Sequence, residues 1–159
     1  MSATHRDIRR LALMALYQFD ARGVNDAESI RASLDDAQGW RDEGLEIGKP
    51  DQVLKQADFD RAYAMAHEVY AFRSDADRML LELAPDWPPH RQAAIDRAIL
   101  RLGIWEIVSG KTPPKAAINE AVELARLFST EKSPQFINGV LAAVMKRAAV
   151  TPQTNEDEA

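Results

Sequence analysis

The sequence has no cysteine, no apolar run long enough to cross a membrane, and no segment with the alternating pattern of a β-strand. Without cysteine there is no disulfide, no thiolate metal site and no cysteine nucleophile. A membrane-spanning helix needs roughly 18 consecutive apolar residues. Asp7 and Gln18 interrupt the apolar positions of the amino-terminal segment, so we interpret it as an amphipathic helix and not as a signal peptide. These features are compatible with a cytoplasmic protein.

Sequence signatures of catalysis and of cofactor binding are missing as well. The three histidines, His5, His67 and His90, lack the spacing of metal ligands on a helix. The seven glycines are scattered and form neither a phosphate-binding nor a dinucleotide-binding loop. We therefore expect no enzymatic activity, no metal and no cofactor.

Apolar residues recur at helical spacing through nearly the whole chain, which predicts an all-α fold. Thr4 and Asp7 predict a capping box at the start of the first helix, and Ser74 and Ser133 are further predicted helix caps. The helix that begins near Arg91 has apolar residues on two sides, which predicts a central position among the others. Caps and breakers predict about seven helices, over residues 5–22, 26–37, 57–72, 74–83, 91–108, 113–128 and 133–149.

The chain length favours one domain, which we place at residues 1–150. Residues 38–56 contain three glycines and a proline among charged residues, so we predict a flexible insertion there. Residues 151–159 are polar and acidic and predict a disordered tail.

Positive charge is concentrated at the two ends of this acidic chain, whose net charge is −5. Residues 1–22 carry four arginines against two aspartates, and residues 110–150 carry six basic against three acidic side chains. Local cationic patches, and not net charge, attract phosphates. The two basic segments therefore form a candidate nucleic-acid surface if they meet in space.

The first helix shows how such a surface is built. At about 100° per residue, one stripe outside its apolar face holds three arginines, a histidine and a tyrosine. Guanidinium groups bind phosphates and an aromatic ring can stack on a base, so this stripe suits single-stranded RNA. The alternative is an ordinary solvated face, in which Asp7 and Asp20 pair with the arginines and the tyrosine joins the core. The stripe comprises His5, Arg6, Arg9, Arg10 and Tyr17.

Three blocks of sequence resemble one known family, the NusB transcription antitermination proteins. Residues 95–108 read IDRAILRLGIWEIV, and residues 113–144 read PPKAAINEAVELARLFSTEKSPQFINGVLAAV. The opening block, residues 9–20, reads RRLALMALYQFD and is similar to the first helix of the family. The resemblance covers about 85 residues, and residues 23–60 have no recognisable match.

The resemblance implies an all-α fold of two small helical bundles around the central helix. It also implies a transcription antitermination factor that binds boxA-type RNA of nascent ribosomal RNA transcripts. The implied partners are NusE, a small-subunit ribosomal protein, and the elongating RNA polymerase.

The family's functional residues fall on particular positions of this sequence. Its basic amino-terminal motif falls on His5, Arg6, Arg9 and Arg10, with Asp7 at a position that is usually basic. Its second RNA contact falls on Lys132, Gln135 and Phe136. An acid that docks NusE falls on Asp96, and Arg101 on the same helix is a further candidate for partner binding.

Several of these residues also have a purely structural interpretation. Phe136 can pack the start of its helix instead of stacking on a base, and Asp96 can pair with Arg97 or Arg101. Gly139 is expected to mark a close approach of two helices.

Two other functions stay open at this point. In one, the protein is a homodimer whose first helices bury the RNA-facing stripe. In the other, it is related to the NusB-like module of ribosomal RNA methyltransferases.

Overall fold

The structure is a computed structural model that describes residues 4–23, 28–30, 32 and 54–150. Within these ranges the chain is helical and contains no strand, as the apolar periodicity predicts. The α-helices are α1 (His5–Arg22), α2 (Gln56–Ala71), α3 (Arg73–Leu83), α4 (Ala94–Ser109), α5 (Pro114–Phe128) and α6 (Ser133–Val150), and a 3₁₀ turn spans Pro89–Arg91.

Helix α1 begins at the predicted capping box. The Asp7 amide donates to Thr4 Oγ1 at 3.2 Å, and the Thr4 amide donates to Asp7 Oδ2 at 2.9 Å. The helix ends at Gly23, whose positive φ of 75° favours glycine. Its buried face packs on α2, where the fully buried Phe19 ring lies 5.7 Å from the Tyr63 ring in an edge-to-face arrangement.

A single residue, Phe72, separates α2 from α3. Its amide donates to the Glu68 carbonyl, and its own carbonyl accepts from the amides of Asp75 and Ala76. The prediction that Ser74 caps α3 is therefore wrong, because the helix already begins at Arg73 and the backbone of Phe72 provides its first acceptor.

Helix α4 is the central element and packs against all five of the other α-helices described, which confirms its predicted position. It begins at Ala94 and not at Arg91, since Pro89–Arg91 forms the separate 3₁₀ turn. The Gln92 side chain donates to the Trp87 carbonyl at 3.0 Å and stabilises this turn. Gly110 ends α4 in the left-handed conformation, with φ 69°.

Helices α4 and α6 approach each other closely at Gly103 of α4. A Cβ at this position would lie 2.8 Å from Leu141 Cδ1 of α6. Gly139, in contrast, is exposed, and a Cβ there would meet no atom within 4 Å. The expectation that Gly139 marks a close helix approach is therefore wrong, because this contact is made at Gly103.

The helices form two groups joined by α4, with α1, α2 and α3 on one side and α5 and α6 on the other. This arrangement confirms the predicted fold class. Residues 28–30 and 32 are helical and belong to the predicted helix over 26–37, whose other positions lie outside the described residues. The predicted insertion falls outside them from 38 to 53, as does the predicted tail at 151–159. Among the described helices, none combines the length and apolarity required to cross a bilayer.

Candidate nucleic-acid interface

The amino-terminal turn of α1 presents two of the predicted RNA-binding residues to solvent. His5 is exposed, and the Arg6 side chain is 53% exposed. The Arg6 guanidinium forms a bidentate pair with Glu120 of α5, in which Nε donates to Oε2 at 3.1 Å and Nη2 donates to Oε1 at 3.0 Å. This hydrogen bond lowers the pKa of Glu120 and raises that of Arg6. The pair thereby connects the start of α1 to α5.

Arg9 is oriented differently, toward the interior. Its side chain is only 12% exposed, and its Nη2 lies 2.9 Å from Oε2 of Glu106, which is almost fully buried in α4. Arg9 Nε donates to both carboxylate oxygens, and Nη2 also donates to Thr112 Oγ1 at 3.1 Å. The Thr112 hydroxyl in turn donates to Glu106. The three side chains form a closed polar cluster at the α1–α4 contact.

The rest of the α1 stripe is mixed in exposure. Arg10 is partly buried, whereas the Tyr17 side chain is among the most exposed large hydrophobic groups, at 46%. Asp7 is buried in the capping box with Thr4. The acid at this usually basic position therefore has a structural role at the start of α1.

The second predicted group lies at the start of α6. Lys132 and Gln135 are exposed, and Phe136 is partly buried with its ring packed against the core. This packing agrees with the structural interpretation of Phe136 and leaves part of the ring accessible. Ser133 is the first residue of α6, so it lies inside the helix that it was predicted to cap.

An open groove of about 720 Å³ runs between α5 and α6 beside this group. Polar side chains dominate its lining, which includes Asn119 and Asn138. The lining residues are Asn119, Val122, Arg126, Ser129, Thr130, Glu131, Pro134, Gln135 and Asn138.

Helix α5 is the structural link between the two predicted groups. Glu120 binds Arg6 of α1, and the preceding residue, Asn119, lines the groove together with Gln135 of α6. Glu120, bound to Arg6, and the groove-lining Asn119 are thus neighbours on one turn of α5, about 100° apart around the helix.

Asp96, the predicted partner-binding acid, is fully engaged by hydroxyl groups. Ser129 Oγ donates to its Oδ1 at 2.6 Å, and Ser133 Oγ donates to its Oδ2 at 2.9 Å. The carboxylate therefore holds the α5–α6 turn against the first turn of α4.

Arg101, the other predicted partner-binding residue, lies in a buried ion-pair network. It forms a bidentate pair with Asp77 of α3, at 2.9 and 2.7 Å, and contacts Asp20 of α1 at 3.2 Å. Burial would lower the pKa of Arg101, but the hydrogen bonds and charges of Asp77 and Asp20 outweigh it and raise the pKa. Arg97 also pairs with Asp20. This network ties α1, α3 and α4 together.

A cleft of about 580 Å³ opens beside this network. Its lining combines the network residues with apolar side chains such as Leu81, which is 52% exposed, and Pro88 and Pro89. The cleft thus offers both charge and apolar surface at one place.

Sequence reasoning missed the two glutamates that engage the arginines of α1. Glu106 had a detectable signal, because it stands alone in the apolar run IWEIV of a helix predicted to be central. A carboxylate buried there needs a cationic partner. Glu120 had no such signal, since exposed glutamates are common on helix surfaces.

In the described ranges, no group of three or more histidine, aspartate or glutamate side chains is arranged to hold a metal ion. The fold defines a class: small all-α proteins whose helices pack in two groups around a central helix.

Comparison with known proteins identifies the family. The model of the NusB family matches residues 6–146. The transcription antitermination protein NusB of Symbiobacterium thermophilum is 36% identical over 146 residues, which cover 90% of each chain. That of Sulfurimonas denitrificans is 38% identical over 144 residues, covering 91% of this chain and 98% of the relative. The chain belongs to the NusB family.

Solved structures agree with this assignment. The NusB of T. maritima superposes with a TM-score of 0.69 at 25% identity, over 92% of this chain and 93% of the other. A structure of the antitermination factors NusB and NusE in complex with double-stranded RNA has a TM-score of 0.66 at 22% identity, over 89% and 96% of the two chains. The latter likeness shows the fold.

Proposed function

We propose that this protein is a cytoplasmic, non-enzymatic transcription antitermination factor that binds boxA-type RNA together with NusE and acts on the elongating RNA polymerase. Its membership in the NusB family supports the proposal. The observation that carries it is the α1 surface, where the exposed Arg6 and Tyr17 supply a phosphate-binding group and a stacking ring on one helix.

We assign the residues of the α1 stripe two kinds of role. His5, Arg6 and Tyr17 are exposed and suit direct RNA contact. Arg9 and Arg10 are partly buried, and we propose that they add positive potential, with Arg9 also fixing α1 on α4 through Glu106.

The start of α6 supplies the second part of the proposed surface. Lys132 suits a phosphate contact because it is exposed, while Gln135 lines the groove and Phe136 leaves part of its ring accessible. RNA that runs from α1 to this site would cross the exposed side of α5, which carries Asn119.

A salt-dependent RNA titration tests this surface. Labelled leader RNA that contains the boxA element of the same genome is titrated with the wild-type protein at low and at raised salt. We expect affinity to fall steeply with salt, since each phosphate contact releases counterions. Absence of salt-sensitive binding, with and without NusE, would refute the RNA proposal.

Lys132, directly before α6, and Lys146, within α6, provide a matched pair for the same assay. Lys132→Glu at the start of the helix should weaken binding by about tenfold or more, because it reverses a charge at the proposed phosphate contact. Lys146→Glu makes the same change at an exposed position near the other end of α6 and should have little effect. Equal losses in both variants would mean that general charge, and not this surface, determines binding.

For NusE we propose the cleft beside the Arg101 network. Arg101 is buried and would act indirectly, by holding Asp77 at the rim of the cleft. Asp96 would also act indirectly, by stabilising the first turn of α4. Leu81→Glu, in the cleft, should weaken capture of NusE while RNA binding by the protein alone is retained. Leu127→Glu is the control, since Leu127 is 53% exposed on α5 and does not line this cleft.

Light scattering on the same samples tests homodimerisation. A dimer that buries α1 would cover Tyr17 and should dissociate when RNA is added. A dimer mass that RNA leaves unchanged would place the RNA surface elsewhere.

A further inference from the structure

The Arg6–Glu120 pair places an acidic group at the centre of the proposed RNA surface. The two N–H groups that Arg6 uses, Nε and Nη2, form the edge with which a guanidinium binds a phosphate in bidentate fashion. In the structure this edge is taken by a carboxylate from another helix.

The surroundings of Glu120 are those of an anion site. Its pKa is lowered first by the hydrogen bond from Arg6, and the charges of Arg9 and Arg10 lower it further. The positive charges of three α1 residues thus act on one anionic position, which Glu120 fills.

We infer that Glu120 occupies a phosphate subsite of the RNA surface, and that an RNA phosphate displaces it from Arg6. This inference rests on the function proposed above and adds a residue that limits the affinity for RNA. Glu120 acts as an internal competitor, because each binding event must first break its pair with Arg6.

Exposure explains why Glu120, and not Glu106, can be displaced. The Arg6–Glu120 pair is partly open to solvent, with side-chain exposures of 53% and 21%, and exposed ion pairs contribute little to stability. The Arg9–Glu106 pair is buried and is closed by Thr112, so separating it would leave charges without partners in the interior. Of these two pairs, only Arg6–Glu120 can therefore be replaced by a contact between arginine and phosphate at a low cost in free energy.

The test compares two glutamates on the same helix. Glu120→Gln removes the competing charge at nearly constant shape, and we expect about two- to fivefold tighter binding of boxA leader RNA at low salt. The slope of the logarithm of the binding constant against the logarithm of the salt concentration should also steepen by roughly 0.7. This is the change expected for one more phosphate contact on single-stranded RNA. Glu123→Gln is the control, since Glu123 pairs with Arg126 one turn further along α5 and should show a smaller gain.

A double-mutant cycle shows whether Glu120 acts through Arg6. In an Arg6→Ala background, Glu120→Gln should no longer tighten binding beyond the Glu123→Gln control. As a second measurement, the NMR signal of Arg6 Nε–H, assigned by its absence in Arg6→Ala, should shift when RNA is added.

The outcomes separate this inference from the proposed function. If the wild-type protein binds RNA but Glu120→Gln binds equally well or more weakly, the displacement is wrong and RNA binding stands. A gain that persists unchanged in the Arg6→Ala background would also overturn it, because it would reflect net charge alone. If no variant binds RNA at any salt concentration, the proposed function fails and the inference fails with it.

Discussion

The Arg9–Glu106 pair allows a quantitative prediction about stability. Glu106→Gln keeps the size of the side chain but removes the negative charge, which leaves the mostly buried Arg9 guanidinium without a carboxylate partner. Loss of one partner from a buried ion pair costs about 3–5 kcal/mol. Arg9 retains some exposure and its contact with Thr112, so we expect the lower end, about 3 kcal/mol.

Urea unfolding followed by circular dichroism measures this loss. The double variant Arg9→Met/Glu106→Leu should recover most of it, since an apolar pair of similar volume avoids burying charge. Glu123→Gln removes a carboxylate from an exposed pair and should stay within about 0.5 kcal/mol of the wild type. The reasoning is refuted if Glu106→Gln also stays within that range.

This prediction affects how RNA-binding variants are designed. Arg9→Glu would place two carboxylates together in the interior, so weaker RNA binding could result from a damaged fold. Lys132→Glu changes an exposed residue and avoids this ambiguity.

Two further predictions concern a helix crossing and pH. Gly139→Ala should raise the free energy of unfolding by up to about 1 kcal/mol, because alanine favours helix and meets no neighbour. Gly103→Ala should gain less or lose stability in the same urea unfolding, since its Cβ would collide with the Leu141 side chain. An equal gain in both variants would contradict the close approach at Gly103. Because the pKa of Glu120 is lowered in the folded state, its pairing with Arg6 stabilises the fold above pH 4.5 and is lost as the pH falls through that lowered value. Wild type and Glu120→Gln should therefore differ in stability near neutral pH and converge in acid, and a constant difference would contradict the pairing.

Much of the fold follows from local sequence signals. The capping box at Thr4 depends on neighbouring residues only, and it was predicted correctly. Ser74 misled the prediction because Phe72, with no polar side chain, joins two helices through its backbone alone. Such a junction cannot be recognised from the types of the residues that form it.

The sequence predicts members of the candidate site but not their exposure. Helical periodicity places the arginines of α1 on one stripe, yet it could not separate the exposed Arg6 from the mostly buried Arg9. The difference arises from Glu106 and Glu120, which lie about a hundred positions away in sequence. Ion pairs of this kind depend on how the helices pack against each other. The residue pattern of a single helix contains no information about that packing.

The hydroxyl cluster around Asp96 has a consequence for mutagenesis. The Asp96 carboxylate stabilises the turn that contains Lys132. Substitution of Asp96 would therefore alter the geometry of this turn as well as the start of α4. Reduced association of an Asp96 variant with NusE therefore identifies a direct contact only when its RNA affinity, measured in parallel, is intact.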